Sequence, residues 1–154
     1  MDLLAELRAI LAKLDEENIP YALCGGLAMA IYALPRATLD IDLLIQVEAL
    51  PRAKEAVKSL GYTLASTPME FQGGKVQIHR LCKVDAASGE DLVLDLLLVT
   101  PETATAWQDR RGVEWEGRRL TVLSPKGLIL LKSFRRSGKD QEDVAHLQRI
   151  VDEN

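Results

Sequence analysis

The stretch "RATLDIDLLI", residues 36–45, places Asp40 and Asp42 one residue apart in a run whose neighbours Leu39, Ile41, Leu43, Leu44 and Ile45 are aliphatic. Alternate residues of a strand share a face, so both carboxylates point the same way, their α-carbons roughly 6.5–7 Å apart. Both can therefore reach one cation. Like charges this close raise each other's pKa, and partial burial costs several kcal/mol per ion unless something positive compensates. A divalent cation is the simplest compensation.

Asp95 sits inside "LVLDLLLV", where every neighbour from Leu92 to Val99 is aliphatic, so it too needs a partner. Left beside two other carboxylates, it is expected to cost the metal-free protein stability. Three aspartates from two strands make an oxygen-rich site suited to Mg²⁺ or Mn²⁺ rather than to zinc, which prefers nitrogen and sulfur. Cys24 and Cys82 have no CxxC or Cys/His spacing and read as core filler, and His79 and His146 have no ligand-spaced partners. A plainer arrangement also satisfies the spacing: Asp40 capping a strand end near Arg36, Asp42 at an exposed edge, and Asp95 paired with a basic residue.

Gly25 and Gly26 fall between the short apolar strand "IPYALC" and a small-residue helical segment stopped by Pro35. There, absent Cβ atoms let backbone N–H groups approach an anion, and a helix N-terminus adds favourable partial charge. The pair is neither a P-loop nor a GxGxxG fingerprint.

The elements that must position these groups follow from the periodicity. Leu3, Leu4, Leu7, Ile10, Leu11 and Leu14 repeat at helical spacing. A helix is predicted over 50–60, with Pro51 near its start and Gly61 after its end, followed by a returning strand "GYTLAS". "GGKVQIHRLCKV" and "DLVLDLLLV" read as an antiparallel hairpin turning through "DAASGE", with Val76, Ile78 and Arg80 alternating against Gln77, His79 and Leu81. A helix capped by Thr100, a hairpin turning near Gly117, a helix from Ser124 through Arg136 and a last helix from Lys139 complete the chain, broken at Ser137 and Gly138. No repeat or linker divides the 154 residues, so residues 1–154 are expected to form a single domain, with a core over about 18–122 and a helical segment over about 124–152. The expected class is a mixed α/β or α+β sheet flanked by helices.

With 47% hydrophobic and 27% charged residues, the composition is that of an ordinary soluble protein, and a net charge of −4 exerts no global pull toward nucleic acid or anionic membrane. The charged N-terminal helix is unlike a signal peptide or a membrane span, so a cytoplasmic protein is expected. Any basic site is local. Arg110, Arg111, Arg118, Arg119, Arg135 and Arg136 form three pairs that could track an RNA backbone if folding gathers them, or serve only as surface charge. Trp107 and Trp115 read as core or rim residues.

A hydrophobic strand, "GG", thirteen residues, then "DID" and a later strand aspartate together resemble the nucleotidyltransferase superfamily that includes the DNA polymerase β-type enzymes. "RATLDID" and the late "LLKSFRRSGKDQEDV" look like the small prokaryotic branch of AbiEii-type toxins and minimal nucleotidyltransferases. The matching segments span about 21–46, 92–99 and 124–150.

The resemblance implies an α+β fold, the mixed sheet of the nucleotidyltransferase core flanked by helices. It implies that Asp40, Asp42 and Asp95 hold Mg²⁺ or Mn²⁺, that Gly25, Gly26, Arg36, Thr38 and Lys139 border the nucleotide, and that Lys132 meets its phosphates. Arg135 or Arg136, Asp140 and Asp143 complete the late motif. The implied reaction moves a nucleoside monophosphate from an NTP to an acceptor hydroxyl on RNA or protein and releases pyrophosphate, with Asp95 as general base or acceptor-side metal ligand. tRNA or a partner protein is the implied acceptor, in a toxin–antitoxin setting, with a homodimer or a cognate toxin or antitoxin as the assembly. Two other readings stay open: a non-catalytic nucleotide-binding or antitoxin-like partner, and an antibiotic nucleotidyltransferase of the aminoglycoside and lincosamide kind.

Overall fold

A computed structural model describes residues 2–32, 40–134 and 138–153, with the side chains of 138–140 excepted. Arg36, Thr38, Arg135, Arg136 and Ser137 therefore lie outside the described residues, as do the side chains of Lys139 and Asp140.

Helix α1 (Leu3–Glu16) opens where Asp2 Oδ1 accepts the Leu4 and Ala5 N–H groups, both at 3.1 Å. This capping satisfies donors the helix itself leaves unpaired. Its apolar stripe Leu7, Ile10, Leu11 and Leu14 is buried. The chain continues through β1 (Ala22–Cys24), α2 (Gly25–Ile31), β2 (Asp40–Ile45), α3 (Leu50–Lys58), β3 (Leu64–Ala65), β4 (Met69–Phe71), β5 (Val76–Val84) and β6 (Asp91–Leu98). It ends with α4 (Ala104–Gln108), β7 (Arg111–Trp115), β8 (Arg118–Val122), α5 (Pro125–Lys132) and α6 (Gly138–Glu153).

The strands form one sheet in the order β3-β5-β6-β2-β1-β8-β7, with β4 pairing to β5. The β2–β6 and β1–β8 pairs are parallel and the others antiparallel, giving the mixed α+β sheet expected from the sequence. Alternation then sorts the residues by face. One face carries Asp40 and Asp42 of β2, Asp95 and Leu97 of β6, and Val76, Ile78 and Arg80 of β5. On the other, Lys83 of β5 pairs with Glu6 of α1 at 3.1 Å, and Glu6 also accepts from the Tyr62 hydroxyl at 2.9 Å. Helix α1 thus backs the face opposite the aspartates.

Several boundaries differ from expectation for local reasons. The strand predicted over 61–66 shrinks to Leu64–Ala65, and β4 is an added strand before the Gln72–Gly74 turn, where all three residues have positive φ. The helix predicted after Thr100 begins as a 3₁₀ turn, with Thr103 Oγ1 accepting the Thr100 N–H at 2.8 Å. Helix α5, capped by Ser124 Oγ on the Gly127 N–H, ends at Lys132 rather than continuing to Arg136. Among the described residues no helix is long and apolar enough to cross a membrane.

Candidate active site

The strand registers place four polar side chains in a row across the sheet. Cys24 of β1 is opposite Asp42 of β2, Asp42 is opposite Asp95 of β6, and Asp95 is opposite Arg80 of β5. Asp40 lies two residues before Asp42 on the same face. Together with Gly25 and Lys132 these residues line a cavity of about 320 Å³. Its other walls are apolar: Met69 and Phe71 of β4, Val76 and Ile78 of β5, Leu97 of β6, and Leu128 and Leu131 of α5.

Asp95 does not lack a counterion. The Arg80 guanidinium donates to both of its carboxylate oxygens, Nε to Oδ1 at 2.8 Å and Nη2 to Oδ2 at 2.9 Å. The expectation of an unpaired, destabilising Asp95 in the metal-free protein thus gives way to the plainer alternative for this residue, a basic partner. Two parallel N–H···O⁻ bonds are the strong geometry for such a pair. The hydrogen bond to Asp95 raises the Arg80 pKa above its ordinary value, against the opposing effect of burial. Arg80 Nη2 is also 4.0 Å from Asp40 Oδ2. Burial, and then the Asp95 charge, raise the Asp40 pKa, while Arg80 pulls it down. Cys24 is buried, and its thiol pKa is pushed well above the usual range by burial and by Asp42 and Asp95. It stays a protonated neighbour of the carboxylates.

Gly25 has a specific physical reason to be glycine. Its φ is +70°, and a Cβ there would lie 2.0 Å from Asp42 Oδ2 and 2.9 Å from Asp42 Cβ. The backbone between β1 and α2 and the Asp42 side chain share one space. Helix α2 begins at Gly25 itself and is seven residues long, so close approach explains this glycine better than a helix dipole does. Gly26 lies in the same first turn and does not line the cavity.

Lys132, at the end of α5, reaches the cavity and pairs with Asp143 of α6 at 3.0 Å. Both side chains are largely enclosed, 13% and 3% exposed. The pair ties the last two helices together beside the site. A buried carboxylate–ammonium contact of this kind fixes where the lysine can point.

The donor chemistry of Asp40, Asp42 and Asp95 suits a hard divalent cation, since all three are carboxylates on neighbouring positions of one cavity. Yet among the described residues no group of three His, Cys, Asp or Glu side chains is arranged to hold a metal ion. Asp40 and Asp42 share one face of β2 and line the cavity, so their chemistry, rather than a preformed cage, is what suits such an ion. Asp95 already carries the Arg80 charge on both of its oxygens.

Arg80 is the residue that sequence reasoning missed. The signal was present, because Arg80 falls in phase with Val76 and Ile78 on the inward face of β5, where a charged residue demands a partner. The arginine pairs were less informative. Arg118 binds Asp15 at 3.0 Å, Arg110 stacks 3.6 Å over the Trp107 ring, and none of Arg110, Arg111, Arg118 and Arg119 lines the cavity. Arg36, Thr38 and Lys139 lie outside the described side chains.

A family model described as an uncharacterised nucleotidyltransferase matches residues 1–152. No curated protein matches the sequence. Among solved structures, ANT(2'')-Ia in complex with adenylyl-2''-tobramycin superposes with a TM-score of 0.68 at 17% identity, over 96% of this chain and 88% of that one. A Thermotoga maritima protein described as a nucleotidyltransferase gives 0.59 at 17% identity over 98% and 93%. The lincosamide antibiotic adenylyltransferase LnuA, bound to lincomycin, gives 0.58 at 15% identity over 94% and 95%. At such identities these likenesses speak to the fold. With the family match reaching from the first residue to 152, the chain belongs to this nucleotidyltransferase family and is a transferase.

Proposed function

We propose that the protein transfers a nucleoside monophosphate from an NTP to an acceptor hydroxyl, with Asp40, Asp42 and Asp95 as the carboxylates of the reaction centre. The observation that carries this reading is the convergence of the three aspartates, from two parallel neighbouring strands, on one cavity that Lys132 also enters. Mg²⁺ or Mn²⁺ held by these carboxylates would supply charge neutralisation on the phosphates and a more acidic acceptor hydroxyl. The acceptor oxygen forms a bond to the α-phosphorus as the bond to the bridging oxygen breaks, and pyrophosphate leaves. The hydroxyl proton passes to Asp95, and Lys132 meets the phosphate charge that develops. Gly25 keeps the backbone close to Asp42 and leaves the phosphate side of the cavity open. Gly26, Arg36, Thr38 and Lys139 complete the proposed nucleotide contacts on the strength of the sequence motifs.

The motifs "RATLDID" and "KDQED" support placement in the small prokaryotic AbiEii-like branch, and with it a cytoplasmic toxin–antitoxin role in which tRNA or a partner protein is the acceptor. A small-molecule acceptor is the second reading. It is favoured by the apolar wall of Met69, Phe71, Val76 and Ile78, as small-molecule sites are mostly apolar with a few polar groups, and by the antibiotic adenylyltransferase LnuA among the structural neighbours.

Incubating the purified protein with each α-labelled NTP and Mg²⁺ or Mn²⁺, in the presence of total RNA, a protein extract, an aminoglycoside or a lincosamide, tests both. Label on RNA or protein supports the first acceptor class, and label on a drug the second. Failure of every NTP to label any acceptor rejects the enzymatic reading in favour of a nucleotide-binding partner protein.

A further inference from the structure

We infer that Arg80 is an exchangeable counterion for Asp95, one that gives way when a divalent cation binds the same carboxylate. The inference rests on the proposed metal-dependent reaction and goes beyond it, since it assigns a role to a residue on a different strand from any of the carboxylates.

Three observations support exchange rather than a permanent pair. First, the guanidinium uses both Asp95 oxygens, at 2.8 and 2.9 Å, so a cation that binds Asp95 from the cavity competes with Arg80 for the same carboxylate charge. Second, exposure is unequal: the Asp95 side chain is 6% exposed on a central strand, whereas the Arg80 side chain is 37% exposed and borders the cavity. Of the two groups, the arginine has open space beside it and the carboxylate has little. Third, Arg80 Nη2 lies 4.0 Å from Asp40 Oδ2 as well, so one guanidinium offsets charge on two carboxylates. A guanidinium stays charged at any working pH, so the compensation is constant until a stronger charge replaces it.

Arg80 thus supplies one compensating positive charge, and a divalent ion at the site brings a larger one to the same carboxylate. Once displaced, Arg80 remains on the cavity wall as a cation near the incoming phosphates. Its departure couples metal entry to the appearance of a second anion-binding group.

Titration with Mn²⁺ alone, followed by electron paramagnetic resonance, tests the exchange on the wild type, Arg80→Gln and Arg80→Lys. Arg80→Gln should bind Mn²⁺ about tenfold more tightly than the wild type, because a unit positive charge beside the site is gone. Arg80→Lys, which keeps the charge and loses the fork, should fall between them. Addition of Mn²⁺ should also raise the melting temperature of Arg80→Gln more than that of the wild type. Equal or weaker Mn²⁺ binding by Arg80→Gln overturns the exchange and makes Arg80 a fixed structural partner.

If Arg80→Gln does not fold, by far-ultraviolet circular dichroism, the wild type decides. The Arg80 Nε–H resonance in ¹⁵N NMR, identified by its loss in Arg80→Lys, should shift and lose protection as Mg²⁺ is added. Persistence of the unshifted resonance at saturating Mg²⁺ overturns the inference. Absence of metal binding in every form overturns both this inference and the metal-dependent reaction, whereas tight binding that is equal in wild type and variant overturns this inference alone.

Discussion

Asp95 is held by two hydrogen bonds from Arg80, and that changes what its removal does. Asp95→Asn should lower the metal-free melting temperature, by the equivalent of about 1–3 kcal/mol, because a charge-assisted fork is lost and a nearly buried carboxylate position no longer matches its donor. A calorimetric scan of the two proteins in chelator checks this; a rise in melting temperature would mean that carboxylate repulsion outweighs the pair. Gly25→Ala is the sharper test of geometry. The left-handed φ of +70° costs a side-chain-bearing residue roughly 1–2 kcal/mol. In addition, the new Cβ meets Asp42 from Oδ2 to Cβ, so the strand-anchored part of that side chain must move as well. The variant should be less stable and should bind Mn²⁺ with nucleotide more weakly. Wild-type binding by a folded Gly25→Ala protein would show that the position of Asp42 does not matter to the site.

At the scale of elements, the carboxylate strands were legible because their patterns are extreme: "LDIDLLI" and "LVLDLLLV" give both the strand and the face on which the aspartates lie. The pairing partner was not, since Arg80 reaches Asp95 only through the β5–β6 register, which a single sequence does not supply. β4 escaped notice because three residues carry too little periodicity, although Gly73 and Gly74 marked its turn. The α5–α6 pair makes a prediction at this scale. Lys132→Met should reduce transfer about 10²- to 10³-fold through loss of phosphate contact. The double variant Lys132→Met, Asp143→Leu should be more stable than the sum of the single losses implies, with a coupling of about 1–3 kcal/mol. Additive losses in denaturant unfolding would show that the two helices are not tied there. Between β5 and α3, burial and then the charge of Lys54 lower the His79 pKa below its unfolded value. The unfolded chain therefore binds more protons than the folded one just below pH 6.5, so stability should fall as pH drops through that value and level off below the folded pKa. Replacement of His79 by Gln should flatten this slope in unfolding measurements from pH 7.5 to 5. An unchanged slope would assign it to other groups.

On the scale of the whole molecule, one sheet brings Gly25, Asp40, Asp42, Arg80 and Asp95 from four strands and their loops to one face, and α5 closes that face with Lys132. The net charge of −4 gives no general attraction to polyanions, so recognition of NTP and acceptor falls to this cavity and its rim. The central claim is that the carboxylate row carries out nucleotidyl transfer. Its most direct test is the stoichiometry of pyrophosphate released to labelled acceptor formed, measured for the wild type and for Asp42→Asn, which removes one charge at nearly constant shape. One pyrophosphate per labelled acceptor in the wild type, with both falling at least about 10²-fold in a folded Asp42→Asn protein, is the predicted result. Equal transfer by Asp42→Asn, or label incorporated without matching pyrophosphate, would contradict it.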